Sequence, residues 1–409
     1  MLRQRVVVTG TGIIAPPCLS SCDFQNALLC PRNPPFFCNG GAPSPAELSA
    51  EHRGLAAIPP RELRRIPRFA RLAIAAAADS LEFARVDWTP RLLLRAGVSA
   101  GSAAGGLDEL EQQQLTASRR GVDRVSPFLI PQLIVNAASG NIAAVNRLQG
   151  PCLSWSAGCA SGTVAIGEAF RLIQSGEADL MLAGGAEAAM TNAGLGSLQA
   201  AGLLPESHVV SGRSGRPFDP DSRWFMPAEG AGFLVLESLD SAQQRGAEIL
   251  AEISGYSSVF DSSCEEDQVS SAHQLCRTMQ LALQDAEADI SQIDVVCAHA
   301  IGIEKNDLAE ARAIAECCCG NSEGPLIMTG RSHFGHAMGA TGAIDAVAGI
   351  CMLKQQQVPS VGGFRIVNSV PKPIRAGNTP LPTSLQSLLL NSFSFGGQNA
   401  SLVICRWQG

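Results

Sequence analysis

The 409-residue sequence has few aromatic side chains, no excess of positive charge and no long apolar run. Phe, Trp and Tyr make up 5% of the chain, and Tyr256 is its single tyrosine. The formal net charge of −7 gives no reason to expect general nucleic-acid binding. No apolar run approaches the roughly 20 residues that a membrane span needs. What is abundant is Ala, Gly and Leu, which suits helices packed closely on a sheet.

Residues Arg3–Val8 open the chain without the pattern of a secretory leader. We therefore expect a cytoplasmic protein whose 14 cysteines are reduced thiols. No spacing predicts a zinc site, because Cys317–Cys319 are adjacent and a second group has no accompanying histidine. That second group consists of Cys18, Cys22, Cys30 and Cys38.

Apolar runs and helical patterns alternate along the chain, which predicts a layered α/β fold. Gly10-Thr11-Gly12 is only half of a dinucleotide fingerprint, because Pro16 and Pro17 interrupt the helix that should follow it. The strand predicted over Ala247–Tyr256 could begin a second half in which the order of elements is repeated. We therefore divide the chain into residues 1–247, with the candidate nucleophile, and residues 248–409, with two candidate histidines.

The segment Gly158-Cys159-Ala160-Ser161-Gly162 joins an apolar run to a helix predicted from about Ser161 to Gly176. A cysteine at a helix N-terminus meets unpaired N–H groups and the positive end of the helix dipole. Both lower the pKa of a thiol, and the thiolate is the attacking species. A buried structural cysteine is the alternative that this segment leaves open.

Two of the six histidines lie at junctions between a loop and a predicted strand or helix. His299 ends an apolar strand, and His336 lies in a glycine-rich loop before a helix. Neutral imidazoles can donate to an oxyanion or accept a proton. Each could equally be a hydrogen-bonded structural histidine.

Near the C-terminus, a turn at Phe395-Gly396-Gly397 joins two predicted strands, and its backbone N–H groups could hold an oxyanion. Earlier in the chain, four arginines fall close together around a predicted helix start. They could attract an acidic partner or simply be solvated. They are Arg64, Arg65, Arg68 and Arg71.

In this order the four motifs at Cys159, His299, His336 and Phe393–Gly397 resemble those of the elongating β-ketoacyl-acyl carrier protein synthases. The resemblance implies a thiolase fold, with two similar halves in five α-β-α-β-α layers, and a homodimer or a heterodimer with a related subunit. It also implies an acyltransferase in which Cys159 receives the acyl chain and the two histidines stabilise the enolate formed from a malonyl-carrier protein. Backbone N–H groups of Cys159 and Phe395 would form the oxyanion hole.

The resemblance implies no metal or redox cofactor, because the acyl carrier protein brings its own pantetheine arm. It places Arg64, Arg65, Arg68, Arg71 and Arg124 where such enzymes dock that acidic carrier. It places Ala104 and Leu198 in the acyl pocket.

The chain departs from the family at several positions. Arg331 replaces a lysine, and we expect it to support the site through an acidic partner, Asp345. Ile301 and Ile303 replace two threonines that hydrogen-bond the pantetheine. With the small residue Ala104, these changes predict a differently shaped tunnel for polyene, aryl or polyketide-like chains. A silent chain-length-factor-like subunit and a coenzyme A-dependent, thiolase-like enzyme are the alternatives.

Overall fold

The computed structural model describes residues 3–16, 18, 21–28, 48–49, 51–205, 214–263, 270–318, 324–361, 375–376 and 381–409. Cys30, Cys38 and Cys319, three of the cysteines whose spacing did not predict a zinc site, lie outside the described residues, as does the side chain of Cys22. The described part forms a mixed α/β fold built on one large sheet.

The strands have the following bounds: β1 Val6–Ile14, β2 Ala96–Gly101, β3 Cys152–Trp155, β4 Leu180–Glu187, β5 Gly230–Ser238, β6 Ala251–Phe260, β7 Val295–Cys297, β8 Leu326–Met328, β9 Gln357–Val358, β10 Leu381–Pro382, β11 Ser387–Phe393 and β12 Gln398–Arg406.

The helices have the following bounds: α1 Ser21–Leu28, α2 Arg53–Ala56, α3 Pro60–Leu63, α4 Arg68–Ala84, α5 Pro90–Arg95, α6 Leu107–Arg120, α7 Leu129–Leu133, α8 Ala137–Asn146, α9 Ser161–Gln174, α10 Asn192–Ala200, α11 Leu239–Gln244, α12 Ala272–Asp285, α13 Glu304–Cys317, α14 Arg331–Phe334 and α15 Thr341–Gln355. Short 3₁₀ turns cover Val122–Arg124, Ile290–Gln292 and Met338–Ala340.

The main sheet has the order β3-β2-β4-β5-β1-β6-β12-β11-β7-β8. Its two halves repeat one pattern: three parallel strands at the outer edge are followed by two antiparallel strands. The halves meet through a short antiparallel pairing of β1 with β6. The chain therefore contains two similar halves, as predicted, although the repeat is one of topology and not of residues.

Helices cover the sheet halves on both sides. α4 packs on β1 and β5, and α12 packs on β6 and β12, whereas α9 and α15 pack against each other between the two halves. This stacking gives the five layers of the predicted thiolase fold. α9 and α15 are rich in small residues, and Gly162 has no room for a side chain because an added Cβ would lie 3.0 Å from the backbone of Ala343 and Gly339. Close helix packing thus brings the two halves together where the candidate residues lie.

Strand ends in both halves of the sheet carry those residues, and the packing of α9 against α15 brings the two halves together around them. The turn after β3 carries Cys159, the loop after β7 carries His299, and the β11–β12 turn carries Phe395. Helix α9 begins at Ser161 and ends two residues before Gly176, so the sequence pattern located it well. No helix within the described residues is long and apolar enough to cross a membrane. The boundary between residues 247 and 248 stays a prediction.

Candidate active site

The turn between β3 and α9 is held in shape by its own polar groups. Ser161 accepts the N–H of Ala157 at 2.9 Å and donates its hydroxyl to the carbonyl of Gly158 at 2.6 Å. Gly158 has φ +55°, a conformation that side-chain-bearing residues rarely adopt, and an added Cβ would lie 2.0 Å from Oγ of Ser394. The sequence therefore folds into a tight turn that presents Cys159 just before the helix.

Three candidate side chains converge at this turn. Sγ of Cys159 lies 3.2 Å from Nε2 of His336. The rings of His299 and His336 lie edge to face with their centroids 5.2 Å apart. One ligand-type atom of each residue lies within 4.8 Å of the others, and all three side chains are buried. A thiol and two imidazoles thus face one small volume.

The pKa of the Cys159 thiol is raised in the structure, whereas its place at a helix N-terminus suggested a lowered pKa. Burial, with the nearby carboxylate of Glu187, raises this pKa to about 11. The Ser394 hydroxyl, the N–H of Phe395 and the charge of Arg331 act in the opposite direction but are outweighed. The expected lowering by the helix N-terminus is therefore wrong for this state, because loss of hydration penalises the thiolate more than its neighbours stabilise it. Attack by this sulfur needs a nearby base.

Both imidazoles are neutral. Burial, with a smaller contribution from the charge of Arg331, lowers the pKa of His299 to about 3. Burial, the neighbouring His299 and Arg331 lower the pKa of His336 well below its ordinary value. The hydroxyl of Thr341 lies 3.2 Å from Nδ1 of His336 and can donate or accept there. His336 can therefore exist as either tautomer, with Nε2 as acceptor or as donor.

Two carboxylates of α13 hold the loop that carries His299. Glu310 accepts the backbone N–H groups of His299 and Ala300 at 2.9 and 2.7 Å. Asp307 accepts those of Ile301 and Gly302 at 2.9 and 3.2 Å. Sequence reasoning missed this role, although two acids spaced i,i+3 in the helix that follows the His299 loop were a usable signal. The loop is fixed by buried acceptors, so the position of the imidazole is fixed too.

Arg331 is 1% exposed and lies close enough to His299 and His336 for its charge to lower the pKa of both imidazoles. Its guanidinium forms an ion pair with the carboxylate of Asp345, which is equally buried on α15. Asp345 is the acidic partner that the sequence suggested for Arg331. The contribution of the pair to activity stays a prediction.

The two candidate oxyanion-hole donors, the backbone N–H groups of Cys159 and Phe395, are not both free to receive a substrate oxygen. The backbone of Phe395 lies close enough to the Cys159 sulfur to lower the pKa of the thiol. The N–H of Cys159 donates to Oγ of Ser394 at 3.0 Å. A substrate carbonyl that uses both donors must therefore displace the Ser394 hydroxyl. Gly396 and Gly397, both at φ +90°, form the turn that brings these groups close.

The two candidate acyl-pocket residues have different surroundings. Leu198 packs on an apolar cluster next to Phe395 that also contains Ile301 and Ile303. Ala104 is half-buried, and its N–H donates to the carboxylate of Glu187 at 3.3 Å. Glu187 also accepts the N–H groups of Ala103 and Gly339 at 2.8 and 3.1 Å, and burial raises its pKa to about 7. Sequence reasoning missed Glu187, which ties the Ala104 loop to the loop after His336.

The structure divides the five candidate docking arginines into two sets. Arg68 pairs with Glu229 and Asp108, and half-buried Arg71 donates to the carbonyl of Ile66 at 2.8 Å. The charges of these two arginines are used within the fold. The other three side chains are exposed to solvent: Arg64, Arg65 and Arg124. Arg65 lies over the ring of the partly exposed Phe128, 4.4 Å from its centroid.

Comparisons with known proteins agree on one family. The description "Beta-ketoacyl synthase, N-terminal domain" matches residues 46–242, and "Beta-ketoacyl synthase, C-terminal domain" matches residues 250–365. The chain is 31% identical over 416 residues to 3-oxoacyl-[acyl-carrier-protein] synthase 2 of Synechocystis, an alignment that covers 99% of both chains.

Three solved structures are similar over 99% of this chain and all of their own length. A β-ketoacyl synthase from Burkholderia phymatum superposes with a TM-score of 0.87 at 28% identity. A type II PKS ketosynthase bound to a hexaketide, in complex with its acyl-carrier protein, superposes with a TM-score of 0.82 at 26% identity. The ishigamide ketosynthase/chain length factor superposes with a TM-score of 0.82 at 27% identity. These scores agree with the fold described above.

Proposed function

The chain belongs to the β-ketoacyl synthase family, and on this premise we propose that it is a β-ketoacyl-acyl carrier protein synthase, an acyltransferase that lengthens carrier-bound acyl chains. The observation that supports the proposal best is the convergence of Cys159 with two neutral imidazoles. The thiol can accept an acyl group, and neutral imidazoles can donate hydrogen bonds to an enolate oxygen without protonating the enolate carbon, as charged imidazolium groups would.

In the first half-reaction, Sγ of Cys159 attacks the thioester carbonyl carbon of an acyl-carrier protein. The thiol proton passes to Nε2 of His336, which lies 3.2 Å away. The N–H groups of Cys159 and Phe395 stabilise the oxyanion, at about 3–4 kcal/mol per donor. The carrier thiolate then leaves and takes the proton, so the acyl group has moved from one sulfur to the other.

In the second half-reaction, malonyl-carrier protein loses carbon dioxide and forms an enolate. His299 and His336 donate from Nε2 to the enolate oxygen. The enolate carbon attacks the acyl-cysteine carbonyl and the new carbon–carbon bond forms. The Cys159 thiolate leaves and takes a proton from water, which restores the thiol. Decarboxylation drives the step, so we expect no metal or redox cofactor beyond the pantetheine arm of the carrier.

We assign carrier docking to Arg64, Arg65 and Arg124. All three are exposed, and apolar Phe128 and Ile130 are 38% and 64% exposed in the same part of the chain. A basic and apolar surface of this kind fits an acidic partner helix. Arg68 and Arg71 contribute indirectly, because their internal contacts position the segment that carries Arg64 and Arg65.

A second ketosynthase-like subunit, identical or related, completes the proposal. Strand β3 is an edge strand of the main sheet, and such edges invite pairing with another chain. Large apolar side chains are exposed in the nearby segment 110–145, which is typical of an interface: Leu110, Leu115, Val122, Ile134 and Val145. A cytoplasmic location is part of the proposal, because every described cysteine is a free thiol.

The substrate class that we propose is a polyene, aryl or polyketide-like acyl chain in a specialised pathway. Ile301 and Ile303 form an apolar cluster with Phe225 and Leu204, where pantetheine-binding hydroxyls were expected. Ala104 leaves space at the predicted gate. Competition between acyl-carrier proteins checks the substrate class, and preference for plain saturated medium chains would reject it.

The experiment that tests the reaction is intact-mass analysis after incubation with acyl-carrier protein. We expect acyl mass on Cys159 that is lost in Cys159→Ala. An unmodified wild-type protein would instead favour a silent subunit, the alternative that the retained Cys159 and its contact with His336 argue against. Condensation with malonyl-carrier protein, compared with acetyl-coenzyme A, then separates the synthase from a thiolase-like enzyme.

A further inference from the structure

Cys276 and Cys317 form a thiol pair that the proposed reaction does not use. Cys276 lies on α12 and Cys317 is the last residue of α13, and the two helices pack against each other. Their sulfur atoms are 2.8 Å apart, and Sγ of Cys317 also lies 3.4 Å from the carbonyl oxygen of Cys276. Both cysteines are free in this structure. Two thiols from distant parts of the chain are thus held in contact by packed helices.

We propose that Cys276 and Cys317 are a redox-active dithiol that a low-molecular-weight disulfide, such as oxidised glutathione, converts reversibly into an intramolecular disulfide. The sulfur separation favours this chemistry over metal binding. Two thiolates on one tetrahedral zinc ion lie about 3.7 Å apart, because each Zn–S bond is about 2.3 Å. At 2.8 Å the pair is already closer than zinc allows and needs only a small movement to reach bonding distance, about 2.05 Å.

The exchange balances in two steps. The sulfur of Cys317, the partly exposed member, attacks oxidised glutathione, forms a mixed disulfide and releases one glutathione thiolate, which takes the Cys317 proton. Cys276 then attacks the Cys317 sulfur, the mixed disulfide breaks, and the second glutathione leaves with the Cys276 proton. Two protein thiols and one small disulfide become one protein disulfide and two small thiols.

The surroundings of the pair suit these separate roles. Cys276 is 1% exposed, so it does not meet a bulky oxidant in solution and reacts only with the adjacent sulfur of Cys317. In the dithiol, the hydrogen bond that Cys317 donates to Cys276 lowers the pKa of Cys276 and raises the pKa of Cys317, so the Cys317 proton must leave as its sulfur attacks. His273 and Glu316, one turn before and one residue before the two cysteines, also contact each other at 3.1 Å between the helices. The helices are therefore held in register at this point.

Closing the disulfide would tie α12 to the helix that carries Asp307 and Glu310. These two carboxylates hold the backbone of the His299 loop. The bond joins residues 41 positions apart in the chain, so it restricts the unfolded state. We therefore expect the oxidised protein to unfold at a higher temperature than the reduced protein.

Mass spectrometry of the full chain tests the proposal. The protein is equilibrated with glutathione buffers of increasing oxidised fraction, free thiols are alkylated, and tryptic peptides 246–277 and 313–331 are analysed. We expect a cross-linked product whose mass is the sum of the two reduced peptides less two hydrogen atoms. A reductant should convert this product back into the two peptides. Complete alkylation of both cysteines in oxidised buffer would overturn the proposal.

Single variants identify the two sulfurs, because the same peptides contain other cysteines. We expect Cys276→Ser and Cys317→Ser to lose the cross-link, and Cys264→Ser and Cys318→Ser to retain it. A cross-link that survives in Cys276→Ser, or disappears in Cys318→Ser, would contradict the assignment. The cross-link between the two peptides is measured first in the wild-type protein. That measurement therefore still tests the proposal if one of the variants fails to fold.

Discussion

The Cys159 sulfur contacts Nε2 of His336 at 3.2 Å inside a buried pocket. In this contact both partners are neutral, because burial raises the pKa of the thiol to about 11 and lowers that of the imidazole. In the proposed mechanism, the resting nucleophile is therefore a thiol with its base beside it, and we expect proton transfer to accompany the attack and not to precede it.

The pH dependence of thiol alkylation checks this resting form. We expect iodoacetamide labelling of Cys159 in the free enzyme to rise about tenfold per pH unit up to about pH 10, because the thiolate reacts and the thiol does not. Fragmentation mass spectrometry of tryptic peptide 148–171, which contains both Cys152 and Cys159, assigns the label to each sulfur and measures both rates, with exposed Cys152 as the internal comparison. A plateau below pH 8 would mean that the helix N-terminus outweighs burial.

Gly158→Ala should distort the turn between β3 and α9 that carries Cys159. The added Cβ would lie 2.0 Å from Oγ of Ser394, and φ +55° is unfavourable for alanine. We expect Cys159 acylation to fall about tenfold or more, since each 1.4 kcal/mol costs a factor of ten. The double variant with Ser394→Gly should recover part of the loss, because it removes the clash. Gly196→Ala in α10, where an added Cβ meets nothing within 4 Å, is the matched control for stability.

Substitutions of Arg331 separate its charge from its shape. Arg331→Lys keeps the charge beside the histidines and should keep or raise condensation. Arg331→Met leaves Asp345 buried without its cation, which should cost about 3–5 kcal/mol of unfolding free energy. Malonyl-carrier protein decarboxylation and chemical denaturation measure the two effects. A collapse of activity in Arg331→Lys would show that the guanidinium itself has a role.

His333 should make the fold sensitive to acid. Burial lowers the pKa of His333 to about 4, whereas in the unfolded chain this imidazole keeps its ordinary pKa near 6.5. Between about pH 6.5 and pH 4, the unfolded state therefore binds a proton that the native state does not bind. Its contribution to stability is full above about pH 6.5 and is lost as pH falls. From about pH 7 to about pH 5, the wild type should lose about 2 kcal/mol more than His333→Gln. Urea denaturation measures the difference, and equal losses would exclude this contribution.

Charge reversal tests the docking surface. Arg65→Glu combined with Arg124→Glu should raise KM for the acyl-carrier protein about fivefold or more, with kcat little changed, because the residues are exposed and do not touch the reacting atoms. The effect should shrink at high salt. Arg91→Glu is a matched control, since α5 leads into the start of β2, opposite the edge that carries Cys159. An equal change in the control would contradict the assignment.

Much of the fold was readable from local patterns. The run before Cys159 and the small-residue helix after it predicted β3 and α9, because apolar periodicity and a glycine turn act within one segment. The order of motifs gave the family, and the comparisons confirm it. The pairing of the two sheet halves through β1 and β6 was not readable, since the halves share topology and not residues.

The sequence by itself determined the residue types, the turns that present them and the family of the reaction. Only the tertiary structure decided the protonation of Cys159, the division of the arginines into internal and exposed sets, and the engagement of the Cys159 N–H by Ser394. The physical reason is that hydration and distance govern these properties. Both depend on which distant segments pack together, and a local pattern cannot specify that.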